Sequence, residues 1–167
     1  MVDHWYVFYT KSRHEKNVRD ELNFRGFEVF LPLQKVMRQW SDRKKKVEVP
    51  LFNSYIFVKC NLEMVPFVND VPGVSWPIRY NNKPAFLREK ELEMIKRFLT
   101  TGLFVETFAI ENNLEAGMRV KVMDGPLRNL EGMLLQYKNG NKFLVALEAI
   151  GQVMAVKIDI HLLKKLK

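Results

Sequence analysis

The chain has 167 residues, 47% hydrophobic and 28% charged, which places it with ordinary globular proteins able to bury a core. Its formal net charge of +8 favours a polyanionic partner or surface. A lone cysteine, Cys60, excludes an intramolecular disulfide framework and fits a reducing cytosol. No run of about 18 apolar residues occurs. Met1-Val2-Asp3-His4 has no signal-peptide layout, so a cytoplasmic protein with no membrane partner is expected.

Trp5-Tyr6-Val7-Phe8-Tyr9 reads as a strand from its aromatic and β-branched content. Ser12-Arg13-His14-Glu15 matches a capping box, with Ser12 accepting from the N–H three residues on and Glu15 reaching back. Val18 and Leu22 then supply an i, i+4 apolar pair, and Gly26 a stop. A second strand begins at Phe27. Residues 38–46 form an exposed hairpin tip, and Val47 to Lys59 resumes the sheet with Pro50 near its start. A short helix near 63–69, a strand at 74–80, and a helix marked by Leu92, Ile95 and Leu99 follow. The order βαββαβα predicts an antiparallel α+β sandwich.

Residues 101–116 hold three glutamates and no Lys or Arg between two basic blocks, and read as a linker. Leu103, Phe104, Val105, Phe108 and Ile110 punctuate it, so part of it should pack on a neighbouring domain or a partner. Residues 1–100 and 117–167 are then two domains. In the second, Val120 and Val122 alternate with polar residues, Asp124-Gly125-Pro126 breaks the strand, and Gly132 re-enters an apolar run. Short apolar runs between Gly125, Gly132, Gly140 and Gly151 predict a small β-barrel of about five strands. A helical hairpin is the alternative, through Leu127, Leu130 and Leu134 and the helix formers of Phe143 to Ala149. Glycine costs about 1 kcal/mol and proline about 3 at a helical site, which favours the barrel.

Enzyme chemistry needs convergent groups, and the sequence offers few. The histidines at 4, 14 and 161 lack metal-ligand spacing, and no nucleophile-elbow, Walker A or dinucleotide fingerprint occurs. Cys60 reads as a buried structural thiol, and Glu89 with Glu93 as a solvated helix face. No catalytic residue, metal or cofactor is expected.

Val120 to Leu134 resembles a KOW motif, with Gly125, Pro126 and Gly132 as its turn. Together with the opening Trp5-Tyr6-Val7, it makes the chain resemble the NusG family of transcription elongation factors. Pro50-Leu51-Phe52-Asn53-Ser54-Tyr55-Ile56-Phe57-Val58 is similar to that family's PLFPGYLFV, with Asn53-Ser54 replacing Pro-Gly, and Val71-Pro72-Gly73-Val74 to its TPGV turn. The resemblance implies an NGN-type antiparallel sheet with helices on its faces, plus a C-terminal SH3-like KOW β-barrel. It implies docking on the clamp helices of the largest RNA polymerase subunit through Tyr9, Tyr55 and Phe57, with Trp76 beside them. Alternation independently puts Tyr55 and Phe57 on one strand face, where an intramolecular core is the other reading.

The basic residues fall into two sets. Lys11, Arg13, Lys16, Arg19 and Arg25 lie on or beside the first helix. Lys35, Arg38, Arg43, Lys44, Lys45 and Lys46 flank or form the hairpin. Solvated faces are one reading, and contact with the non-template DNA strand or nascent RNA the other. Trp40 could stack on a base or pack at the hairpin foot. In RfaH-type relatives this surface contacts the non-template strand; Lys11 matches a basic residue there, and Glu21 stands where RfaH uses a histidine. By resemblance, Ile150 would occupy a barrel tip that contacts a ribosomal small-subunit protein or Rho; a core position is the alternative. The basic helix, the divergent tip and the missing Pro-Gly lean towards a specialised RfaH- or UpxY-like antiterminator. A housekeeping factor and an RNA- or ribosome-binding KOW protein are the alternatives.

Overall fold

A computed structural model of the chain describes residues 1–110, 117–137 and 140–167. Two compact units, Met1–Leu92 and Glu93–Lys167, make up the fold. In the first, β1 (His4–Thr10), α1 (Glu15–Phe24) and β2 (Glu28–Phe30) precede a hairpin of β3 (Leu33–Gln39) and β4 (Lys44–Pro50). Then come β5 (Tyr55–Cys60), α2 (Val65–Asn69), β6 (Val74–Pro77), the short β7 (Arg79–Tyr80), β8 (Lys83–Pro84) and β9 (Phe86–Leu87), and α3 (Glu89–Leu99). The antiparallel sheet runs β2-β5-β1-β6, with β9 also on β1.

Period-two alternation sorts β1 and β5 into two apolar faces. Tyr6 and Phe8 of β1 and Ile56 and Val58 of β5 pack with Val18 and Leu22 of α1 and Val65 and Val68 of α2 in one core. The opposite face carries Trp5, Val7, Tyr55 and Phe57, which are also buried. Cys60 belongs to the helix-covered core. Burial, with the Asp3 carboxylate's charge, pushes its thiol up to about 11, so it stays protonated and inert near neutral pH.

Three local expectations are corrected. The capping box does not form: His14 takes the N-cap position without a side-chain cap bond, and the buried Glu15 accepts from the Ser54 N–H at 3.0 Å. The left-handed Arg13, at φ 64°, turns the chain between Ser12 and the helix. Val47 to Lys59 is not one strand, because residues 51–54 turn and β4 pairs only with β3. On α3 the fully packed stripe is Leu92, Ile95 and Phe98, with Leu99 only half-buried.

Ser54 sits at φ 65°, the region glycine enters without steric cost, at the position of the family's Pro-Gly. Its N–H bond to Glu15 and its carbonyl's acceptance from the Thr10 N–H at 2.9 Å hold it there. A non-glycine residue in this region costs about 1–2 kcal/mol, partly offset by the unfolded-state entropy that glycine adds. Ser54→Gly is therefore expected to stabilise the chain by roughly 0.5–1 kcal/mol in a urea melt.

The second unit orders its strands β10-β14-β13-β12-β11-β15, all antiparallel. These are β10 (Glu106–Ala109), β11 (Met118–Val122), β12 (Glu131–Tyr137), β13 (Gly140–Leu147), β14 (Gln152–Lys157) and β15 (Leu163–Lys165). Residues 131–137 and 140–147 are extended, so the barrel prevails over the helical hairpin. Among the described residues from 118 onward the strands number five, and about five were expected. A sixth, β10, comes from the segment read as linker, and Lys142 anchors it to Glu106 at 2.7 Å. Residues 111–116 of that segment lie outside the described residues. The end of α3 belongs to this unit as well. The Arg97 guanidinium donates to the Pro126 and Arg128 carbonyls, and the Phe98 ring stacks 6.2 Å from Phe143.

Gly125 takes φ 87° in the turn between β11 and β12, and its N–H donates to the Asp124 carboxylate at 2.8 Å. Gly132 serves close approach instead: an added Cβ would collide with the Leu144 carbonyl oxygen and lie 2.8 Å from the Phe143 ring. Backbone cannot yield as a side-chain tip can. Gly132→Ala is therefore expected to cost about 1–3 kcal/mol, read as a lowered thermal midpoint with the first unit's signal unchanged.

Candidate functional site

Antiparallel register brings three aromatic residues from three strands into one row. Tyr9 of β1 faces Tyr55 on β5 and Trp76 on β6. The Tyr9 ring lies 5.0 Å from Tyr55 and 5.4 Å from Trp76, both edge-on, and the two tyrosine hydroxyls are 3.2 Å apart. Behind Tyr55 the row continues through Phe52 and Phe57 to Phe30. Edge-to-face ring pairs add about 0.5–1.5 kcal/mol each beyond burial, so this surface is stiff before anything binds.

Burial grades the row. Trp76 is 58% exposed, Tyr9 half-buried, Tyr55 6% exposed and Phe57 fully buried. Of the four aromatic positions named from sequence, the fold thus presents Trp76 and Tyr9 to the surface and sets Tyr55 and Phe57 behind them. Sequence reasoning left out Phe52 and Phe30, whose contacts with Phe57 and Tyr55 close the row. A signal was available in Leu51-Phe52, two large apolar residues within the turn at 51–54, and both are buried.

The basic residues differ in their surroundings. Arg19 pairs with Asp20 at 3.0 Å and Arg25 with Glu21 at 2.8 Å, so carboxylates on α1 partly neutralise both. Lys11 lines one groove with His14, Asn17, Glu21 and Gly73. Arg13 and Lys16 line another with Arg38 and Trp40, and the Lys16 ammonium donates to the Glu48 carbonyl at 2.8 Å. Arg43 and Lys44 are exposed at the hairpin tip, where the Arg43 guanidinium lies 5.7 Å from the Trp40 ring centre. Arg13 is held in a left-handed conformation, a strain that concentrates at working sites.

In the second unit Ile150 is buried, at 4% exposure, in a 3₁₀ turn that ends on Gly151 at φ 64°. The Ile110 N–H donates to the Gly151 carbonyl at 3.0 Å, which ties Ile110 to this corner. Among the described residues no group of three His, Cys, Asp or Glu could hold a metal, and no helix is long and apolar enough to cross a membrane.

The sequence model of a family described as NusG, transcription termination factor, matches residues 3–96. The transcription termination/antitermination protein NusG of Neisseria meningitidis serogroup B is 26% identical, over 99% of this chain and 99% of its own. Its counterpart in Rickettsia felis is also 26% identical, over 98% of this chain and 91% of its own. A solved structure of NusG from Thermotoga maritima covers 99% of this chain and 98% of its own, with a TM-score of 0.59 at 20% identity, and so shares the fold. The family consists of transcription factors and not of enzymes. With an antiparallel first unit matched by that model and a KOW-type β-unit behind it, this chain belongs to the NusG family of transcription termination and antitermination factors.

Proposed function

We propose that the chain docks on the clamp helices of the largest RNA polymerase subunit through Trp76 and Tyr9, with Tyr55 and Phe57 as the packed support behind them. The observation that carries this is the Trp76–Tyr9–Tyr55 row, an aromatic anchor exposed at one end and immobilised at the other. Aromatic anchors of this kind dominate interface energetics. Bound there, the factor would suppress pausing or termination without chemistry of its own, in the cytoplasm where transcription occurs. Residues 1–100 would be the polymerase-binding part, 101–116 its connection, and 117–167 the part that reaches a ribosomal small-subunit protein or Rho. Because Ile150 is buried, such a contact would use the corner it supports or would need the chain at Ala109–Ile110 to lift away.

Nucleic-acid contact by Lys11, Arg13, Lys16, Arg43 and Lys44, with Arg19 and Arg25 in weaker roles, completes the reading. Exposed cations beside a polymerase would meet the non-template strand or nascent RNA. Reversing charge at Lys11, Arg13 and Lys16 is expected to weaken crosslinking to the non-template strand and to flatten its salt dependence by about 0.7 per lost contact. Identical crosslinking before and after reversal would leave α1 a solvated face.

Action at a few operons, in the manner of RfaH or UpxY, is the finer proposal. It rests on the cations on and beside the first helix, the altered barrel corner and Asn53-Ser54; the relatives carry the general family name. Polymerase capture followed by mapping of occupied loci tests both levels. No capture would remove the docking reading, and genome-wide occupancy would make the chain a general factor.

A further inference from the structure

The stripe that α1 buries is Glu15, Val18 and Leu22, at i, i+3 and i+7, so a carboxylate takes the first place in an otherwise apolar row. Glu15 is only 5% exposed. Burial of a carboxylate is unfavourable unless donors meet it. Arg13 and Lys16 flank it in sequence, yet among the described residues Glu15 forms no ion pair. Its Oε1 instead accepts the Ser54 N–H at 3.0 Å, across 39 residues of chain. A charged side chain buried for the sake of one distant backbone donor calls for a reason, and the turn it holds supplies one.

Ser54 is gripped on both sides. Its N–H lies in the peptide plane shared with Asn53 and is held by α1 through Glu15; its carbonyl lies in the plane shared with Tyr55 and is held by the Thr10 N–H of β1 at 2.9 Å. Between the two grips the residue stands at φ 65°, where glycine rests without steric cost and serine does not. Released from Glu15, Ser54 would relax towards negative φ, and that rotation acts on the next residue, Tyr55. Tyr55 opens β5 and is its terminal rung against β1, opposite Tyr9, so no further rung corrects a shift there. Tyr55 in turn meets Tyr9 ring to ring at 5.0 Å and hydroxyl to hydroxyl at 3.2 Å, and Tyr9 meets Trp76 at 5.4 Å. We propose that Glu15 is a positioning residue for the docking row: its carboxylate holds Ser54 in the left-handed turn that aims Tyr55 at Tyr9, and the tyrosine pair sets Trp76. This rests on the docking proposed above and adds to it a residue that touches no partner. A binding surface is only as well placed as the hydrogen bonds behind it.

The test compares the full chain with Glu15→Met, which keeps helix propensity and apolar packing but offers no oxygen, and with Glu15→Gln, which keeps an acceptor. Ser54→Gly is added to Glu15→Met as the rescue. Urea melts choose conditions in which each variant is folded. The readouts are affinity for core polymerase and the Trp76 resonance of fluorotryptophan-labelled protein, identified by its loss in Trp76→Ala. Glu15→Met is expected to bind about tenfold more weakly and to show a displaced Trp76 resonance. Glu15→Gln should stay near wild type. The double variant should recover both readouts, because glycine keeps the left-handed turn without the clamp. Wild-type affinity and resonance in folded Glu15→Met would overturn the proposal, as would losses that Ser54→Gly does not restore. Should Glu15→Met fail to fold, the double variant decides alone: wild-type affinity supports the proposal and weakened affinity overturns it. If Trp76→Ala binds polymerase as wild type does, the docking reading falls by itself. A displaced Trp76 resonance in Glu15→Met would then still support the positioning role, and an unmoved one would overturn it.

Discussion

Phe57→Ala is expected to remove about 3–5 kcal/mol of stability, the range for deleting a fully buried aromatic ring. Phe57 has no exposed surface and meets Phe30 and Phe52 at ring-centre distances of 5.9 and 6.1 Å. Truncation leaves a cavity between β2, β5 and the turn before β5, and removes both ring contacts. A folded domain is typically stable by only about 5–15 kcal/mol, so a loss of this size leaves the first unit marginal. Urea unfolding followed by circular dichroism measures it. Polymerase capture should fall only as the fold is lost, and should return at low temperature where the variant remains folded. A loss below about 1 kcal/mol, with capture abolished in a folded protein, would mean that Phe57 works at the surface.

Trp76→Ala should behave in the opposite way. Its ring is more than half exposed and meets only the edge of Tyr9 among the row, so truncation should cost about 0.5–1.5 kcal/mol, well below the Phe57→Ala loss. As the projecting end of a braced row, it is the side chain most able to enter a pocket on a partner. Removing such an anchor costs about 2 kcal/mol or more, a roughly 30-fold loss of polymerase affinity. Because Tyr9 and Tyr55 hold one another through their hydroxyls, Tyr9 should stay in place when Trp76 is cut. Affinity titration of labelled protein against core polymerase reads the effect. Unchanged affinity in a folded Trp76→Ala variant would remove the aromatic row from the docking surface. Together the two substitutions separate the support from the contact.

Much of this was legible from short-range pattern. Alternation in Trp5 to Tyr9 and Tyr55 to Cys60 specified strands with two apolar faces, and the glycine and proline spacing after Val120 specified strands over a helical hairpin. These signals are local: each is a property of neighbouring residues and the backbone geometry they permit. Ser12-Arg13-His14-Glu15 failed for the same reason. Its capping pattern was real as a pattern, but a distant backbone N–H at Ser54 offered Glu15 a partner that no local rule contains.

The sequence by itself determined the family, the two-part organisation of strand-rich units, and which aromatic and basic residues are present, because those follow from motif, periodicity and composition. Only tertiary structure decided what each type does. Tyr55 and Phe57 alternate onto one face with Trp76 as their expected neighbour, yet burial separates the exposed tryptophan from the two supports. Arg19 and Arg25 looked equivalent to Arg13 and Lys16, until helix geometry set the first two against carboxylates and hairpin register placed the others beside Arg38 and Trp40. The segment after α3 read as a linker with an apolar part that should pack on a neighbouring domain or a partner; the fold decides how, because β14 has an open edge and pairing with it satisfies the backbone of Glu106 to Ala109. Burial, pairing and edge satisfaction are relations between residues far apart in the chain, and only the folded backbone brings those residues together.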